Sequence, residues 1–420
     1  MSKSTNQLFL YSFFMAGAAI LGMLKLTVYA KLLSVEGFGL YSLVISSYLF
    51  IMYAGSFGLN EALVKKGSIA YGREEFSFIV KLRDVAVLYS TLGVLFFSII
   101  TLILVQLFVE GDDIKNSLSL MGFLALATLE FNLMSSYFRV NHEFVLFSFM
   151  LFLKSLLVII LAWYIAPGFG VNGVILLEVF VFLFLASFSI YLSRFRPKLK
   201  RVYDAKSLFK EAVKQGLPIM SATVIRNLTL SLDRWVIVAS LGVIALAKYA
   251  FAMILYQAAM VGIGMISTIL GTKWLAQFGR DSNLDAMYMK IKEFMIIGST
   301  ILIVLSFPLL NLILYLVDFF YPNYSEMDVN LAIIFVYFGV IFLALAYLLD
   351  WVFIASSNEK LLIKFSLYSL LITVLLMFFC YWLQVSIWVY ACMFLLIRAF
   401  NFLVLFQSLS SLLKTRKVLC

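Results

Sequence analysis

Apolar positions along this chain cluster in windows of about 20 to 25 residues, separated by short polar stretches. At roughly 1.5 Å per residue such a window crosses a hydrocarbon layer of about 30 Å, and inside lipid only a helix satisfies every backbone group locally. The pattern therefore predicts membrane-spanning helices over 8–32, 39–63, 85–109, 118–138, 145–166, 171–193, 216–239, 248–271, 294–319, 330–355, 365–383 and 387–409. The first window follows only seven residues and is too long for a signal-peptide core, so it is expected to stay as an anchor.

The polar stretches alternate in sign. Of the 32 basic residues, 24 lie at the two ends of the chain and in the stretches 64–84, 139–144, 194–214, 272–293 and 356–364. The other loops hold only Lys31, Lys115 and Lys248, beside Glu36, Glu110, Asp112, Asp113, Asp318, Glu326 and Asp328. Basic loops stay on the cytoplasmic side, which places both termini in the cytoplasm.

The longest hydrophilic stretch, "RFRPKLKRVYDAKSLFKEAVKQ", follows the sixth window and halves the chain. Sliding the sequence by 208 residues matches Leu33 with Leu241, Val35 with Val243 and Tyr41 with Tyr249; a slide of 207 sets "AYGREE" on "QFGRDS". An internal repeat follows, with lobes 1–205 and 206–420 of six helices each. An even number of spans gives both lobes the same orientation, so their pseudo-two-fold axis runs along the membrane normal. The fold expected is an all-α integral membrane protein of twelve helices in two lobes, with any substrate path between them.

Composition narrows the function. With 64% hydrophobic and 13% charged residues and a mean hydropathy of +1.05, no soluble surface can be assembled. The net charge of +10 is mostly topological bias, so nucleic acid is not an expected partner. The single histidine, His142, sits in a short loop, and Cys380, Cys392 and Cys420 are odd in number, which suggests neither a metal site nor a disulfide framework. No P-loop motif occurs, so no nucleotide cofactor is expected. External loops of about ten residues or fewer leave no room for an extracytoplasmic active site, and no enzymatic activity is expected.

The charges inside the windows are the informative ones: Lys25, Lys154, Arg226, Arg234 and Arg398 against Glu130, Glu178, Asp233 and Asp350. Unpaired in lipid, these nine would together cost on the order of 20 to 30 kcal/mol. They must be paired or wet. In the seventh window Thr223, Arg226, Asn227, Ser231 and Arg234 recur at steps of three and four, with Asp233 close to the same line. A face this polar reads as the wall of an aqueous cavity; a dry inter-helix salt-bridge cluster is the competing reading. The 208-residue slide sets Lys25 on Asp233, which suggests a charge-paired external gate across the lobes.

The segments "SVEGFGLYSLVIS", "GSFGLNEALVKKG", "GLPIMSATVIRN", "LDRWVIVASLG" with "AKYAFAM", and "YPNYSEM" resemble, in order, the recurring signatures of the polysaccharide-export (Wzx-type O-antigen) flippases. That family belongs to the MOP superfamily, with the MATE multidrug exporters and lipid II flippases. The resemblance implies translocation of an undecaprenyl-pyrophosphate-linked oligosaccharide across a bacterial inner membrane by alternating access. It also implies membrane lipid, a polysaccharide polymerase and chain-length machinery as partners. On that reading Arg226 and Arg234 contact the pyrophosphate, because guanidinium forks match phosphate oxygens. Lys154, Arg398 and Lys25 supply further positive charge, with structural pairing to Glu130 or Glu178 as the alternative for Lys154 and Arg398. Asp233, Glu130, Glu178 and Asp350 are the groups able to carry a coupling proton or sodium ion. A MATE-like multidrug or cation antiporter is the alternative, though its cationic substrates favour an acidic cavity.

Overall fold

The computed structural model describes residues 3–72, 74–192, 206–257, 259–260, 263, 274, 283–356 and 359–419. Every regular element among them is helical: α1 (Lys3–Leu32), α2 (Val35–Ser56), α3 (Leu59–Gly72), α4 (Phe76–Phe108), α5 (Asp112–Ser119), α6 (Met121–Val140), α7 (Phe144–Leu192), α8 (Lys206–Leu241), α9 (Val243–Ala252), α10 (Leu284–Val304), α11 (Ser306–Phe320), a 3-10 turn (Pro322–Tyr324), α12 (Met327–Ala355), α13 (Glu359–Leu383) and α14 (Ile387–Leu419). Among the described residues, eight helices are long and apolar enough to cross a membrane, or nine when α10 and α11, bent by 52° at their junction, count as one span.

Departures from the hydropathy pattern have local causes. The fifth and sixth windows run together as α7, broken only at Gly170, whose φ of 58° and ψ of −147° no helix accommodates. The second window is split, because Phe57 and Gly58 turn the chain at φ values of 50° and 73°. The stretch 64–84, expected as a loop, is mostly the end of α3 and the start of α4. Ala70, Ile79 and Val140 bury one another there: three- and four-residue apolar spacing amid lysines escapes a window average but still makes an amphipathic helix. Most of the eighth window beyond Gln257, the "QFGRDS" segment and the linker 193–205 lie outside the described residues.

The chain divides into two compact units, Met1–Val224 and Ile225–Cys420. In the first, α6 packs on α4 and α7, α2 on α4, and α1 on α7; α4 and α7 turn rows of Phe, Leu and Ile outward, as lipid solvation allows. In the second, α12 packs on α14, α10 and α13. The first turns of α8 belong to the first unit. A Cβ on Gly216 would stand 1.9 Å from the Gly58 carbonyl oxygen, so two glycines let the backbones touch, and only glycine tolerates both the contact and the positive φ of Gly58. Phe209 stacks on Tyr89 with ring centroids 4.2 Å apart, and Glu211 pairs with Lys66. What reads as linker is a docked helical segment.

Candidate functional site

The first unit holds a carboxylate with three donors. Glu178, on the second half of α7 and only 2% exposed, accepts hydrogen bonds at one oxygen, Oε1, from the Tyr41 hydroxyl (2.7 Å), the Tyr29 hydroxyl (2.9 Å) and Lys25 Nζ (3.1 Å). Lys25 and Tyr29 lie four apart on α1 and so share a face. The Tyr29 and Tyr41 rings meet edge to face at 4.9 Å. Lys154 on α7 is handled differently. Its ammonium lies 5.1 Å and 5.3 Å from the ring centroids of Phe131 and Phe182, and it makes no ion pair among the described residues. Cation–π attraction of about 0.5 to 2 kcal/mol takes the place of a carboxylate. Glu130 accepts a hydrogen bond from the Thr91 hydroxyl.

The second unit holds a related cluster, again built on a buried carboxylate. Asp233 and Arg234 on α8 are 4% and 7% exposed. Asp233 Oδ1 accepts the Arg234 backbone N–H at 2.8 Å, and Oδ2 accepts the Tyr249 hydroxyl. The residues matched by the 208-residue slide thus acquire a side-chain meaning: Tyr41 and Tyr249 both donate to a buried carboxylate, on Glu178 in one unit and on Asp233 in the other. Arg398 on α14, 5% exposed, lies within electrostatic reach of Asp233 and has its guanidinium 5.1 Å from the Phe394 ring. The Nε atoms of Arg234 and Arg398 have no hydrogen-bond partner among the described residues.

Beside this cluster lies a cavity of about 270 Å³ with walls from α8, α12, α13 and α14. Its polar lining includes Arg226, Tyr347, Asp350, Ser369, Arg398 and Asn401; the remainder is chiefly Leu, Phe, Ile and Val. Arg226 Nη2 and Asp350 Oδ2 stand 3.6 Å apart, with side chains 39% and 18% exposed, and the Arg226 guanidinium is 5.2 Å from the Tyr347 ring. Asn401 donates to Ser369 Oγ at 2.8 Å. The site is an apolar pocket with two guanidinium groups and one carboxylate on its walls, a lining suited to an amphiphile with an anionic end.

The structure thus brings together Arg226, Asp350 and Arg398 at one cavity, and Lys25 with Glu178 in a separate cluster. The two candidate gate residues each have a partner inside their own unit, Lys25 on Glu178 and Asp233 on Tyr249. The polar face of α8 divides: Arg226 and Thr229 line the cavity, whereas the Asp233–Arg234 couplet is packed away from water. Lys154 forms no ion pair with Glu130 or Glu178. Asp350, near the end of its window, is held by Arg226. Hydropathy did not single out Tyr347, Ser369 and Asn401, which are uncharged. It also passed over the buried pair Arg83–Asp84 (2.8 Å) at the start of α4 and Glu61 on α3, whose Oε2 has no hydrogen bond among the described residues.

The family signature of polysaccharide biosynthesis proteins matches residues 6–270. The chain belongs to that family. Its fold is that of the MOP superfamily transporters. The lipid II flippase MurJ in an inward closed conformation aligns with a TM-score of 0.74 at 16% identity, over 96% of this chain and 87% of that one. An inward-facing multidrug resistance MATE family transporter aligns at 0.71 and 15%, over 94% and 96%. A MOP superfamily transporter from Pyrococcus furiosus aligns at 0.65 and 13%, over 97% and 96%. No curated protein matches the chain in sequence. This family member is a multi-pass helical membrane protein with a transporter fold, and the similar structures are transporters and a flippase, not enzymes.

Proposed function

We propose that this protein moves an undecaprenyl-pyrophosphate-linked oligosaccharide, an O-antigen or similar surface-polysaccharide repeat unit, from the cytoplasmic to the outer leaflet of a bacterial inner membrane. Twelve spans in two lobes with cytoplasmic termini would provide the alternating access, and an ion gradient the energy. A polysaccharide polymerase and chain-length machinery would then take the product.

The observation that carries the reading is the cavity of the second unit, where Arg226 and Arg398 line a pocket otherwise mostly apolar. A pyrophosphate needs forked cationic donors, and an isoprenoid needs apolar walls. At about 270 Å³ the cavity falls below the roughly 300 to 1,000 Å³ of drug-sized sites, so it suits the phosphate end of the lipid and not the glycan. An exporter of organic cations gains nothing from two arginines here.

Removing the gene should leave single repeat units on the inner leaflet, and Arg398→Gln should reproduce part of that build-up. Normal surface glycan together with new sensitivity to cationic dyes would replace this function with drug export.

A further inference from the structure

Resting on the flippase reading, we infer that Asp350 is the group that takes up a proton when substrate binds: the phosphate end of the substrate competes with Asp350 for Arg226, and the released carboxylate is protonated. The four acids inside the helices differ in what holds them. Glu178 has three donors on one oxygen. Asp233 is held by a hydroxyl and a backbone amide, and is packed away from water. Glu130 is bound by Thr91, on α4. None of these three lines the cavity of the second unit. Asp350 does, and its charge is balanced by the Arg226 side chain, itself 39% exposed on the same wall.

Their separation of 3.6 Å is longer than a hydrogen bond. A pyrophosphate offers the same guanidinium a short, forked, doubly charged contact that is stronger. Once Arg226 turns to the phosphate, Asp350 is a carboxylate among apolar walls with no counter-ion, and such a group neutralises by protonation. The groups facing it are Arg226 and Thr229 from α8, Tyr347 from its own helix, Tyr368 and Ser369 from α13, and Arg398 and Asn401 from α14. Lys364, on α13, lies 5.8 Å from the Tyr368 ring. Arg398 shares the incoming anion, so it does not replace Arg226 as partner to Asp350. No covalent bond changes: one proton from water enters with the anion and is shed when the anion leaves and the ion pair re-forms.

The test uses the full chain in lipid nanodiscs, titrated near neutral pH with farnesyl pyrophosphate and, separately, with inorganic pyrophosphate. Proton uptake is read from the heat of binding in two buffers of different ionisation enthalpy. The wild type should take up about one more proton per farnesyl pyrophosphate bound than Asp350→Asn, and the variant should bind at least as tightly, because its Arg226 is already free. Asp350→Glu should retain the uptake, which excludes a folding defect as the cause. Arg226→Gln should weaken binding about tenfold or more. Preference for the farnesyl probe assigns the site to a lipid pyrophosphate. Equal binding of both probes, with the proton difference kept, assigns it to pyrophosphate as such and retains the exchange. Equal proton uptake by wild type and Asp350→Asn overturns the inference while leaving the flippase reading to the export assay. Binding of neither probe overturns the site and the inference together.

Discussion

Glu178→Gln isolates the value of one buried charge. The amide keeps an oxygen that the Tyr29 and Tyr41 hydroxyls can still reach, so the main loss is the attraction to Lys25 at 3.1 Å. At that distance Coulomb's law gives about 5 kcal/mol at an effective dielectric constant of about 20, less the desolvation of the carboxylate that Gln no longer incurs. Breaking a fully buried pair costs about 3 to 5 kcal/mol. Lys25 retains 22% side-chain exposure, so its stranded ammonium can reach water, and the expected loss is about 2 to 3 kcal/mol. Removing the cation as well, in Lys25→Met with Glu178→Gln, should recover about 1 to 2 kcal/mol, because no uncompensated charge remains. Equilibrium unfolding of Glu178→Gln, Lys25→Met and the double variant in mixed micelles closes the cycle. If the double variant equals the sum of the singles within about 0.5 kcal/mol, the two charges are not coupled and the reasoning fails.

Three other changes probe separate parts of the molecule. Lys154→Met should leave stability unchanged or raise it by about 1 kcal/mol, since a thioether packs well between the Phe131 and Phe182 rings; a loss above about 2 kcal/mol in the same unfolding assay would mean that the ammonium has an anionic partner. Gly58→Ala combines a left-handed φ of 73° with a Cβ placed 2.4 Å from the Gly216 carbonyl carbon. It should cost about 2 to 4 kcal/mol, seen as a lowered Tm in detergent, and an unchanged Tm would show that the α8 segment does not need that contact. Arg398→Gln should reduce export of lipid-linked oligosaccharide about tenfold or more and Arg398→Lys by less, because lysine keeps the charge and loses the fork; equal export by both variants and the wild type would remove Arg398 from the site.

Much of the fold is legible in the sequence because lipid imposes one rule on every spanning segment, and α4, α12, α13 and α14 fall where the apolar windows lie. The rule fails where a helix is only half apolar. α3 and the first turns of α4 alternate Lys, Arg and Glu with buried Leu59, Ile79 and Leu82, so their average hydropathy resembles that of a loop. The candidate charges are legible for the same reason the spans are, since each stands out against apolar neighbours. Their partners are not. Nothing in the spacing tells that Lys25 meets Glu178 at a sequence separation of 153, or that Lys154 rests on two phenyl rings. The repeat came nearest, because aligning Tyr41 with Tyr249 marks two hydroxyls that perform the same task.

That shared task is met by different helices in the two halves of the chain. In the first half the acid beside the tyrosine comes from the sixth window, and in the second half it comes from the seventh. Grafting the α1 sequence into α8 would put a lysine in place of Asp233 and a leucine in place of Arg234, leaving two cations, that lysine and Arg398, around Tyr249 with no anion, although the apolar windows of the two helices align. Each cluster draws all its members from its own half, so exchanging single helices between the halves strands a charge, whereas each half keeps its own cluster whole.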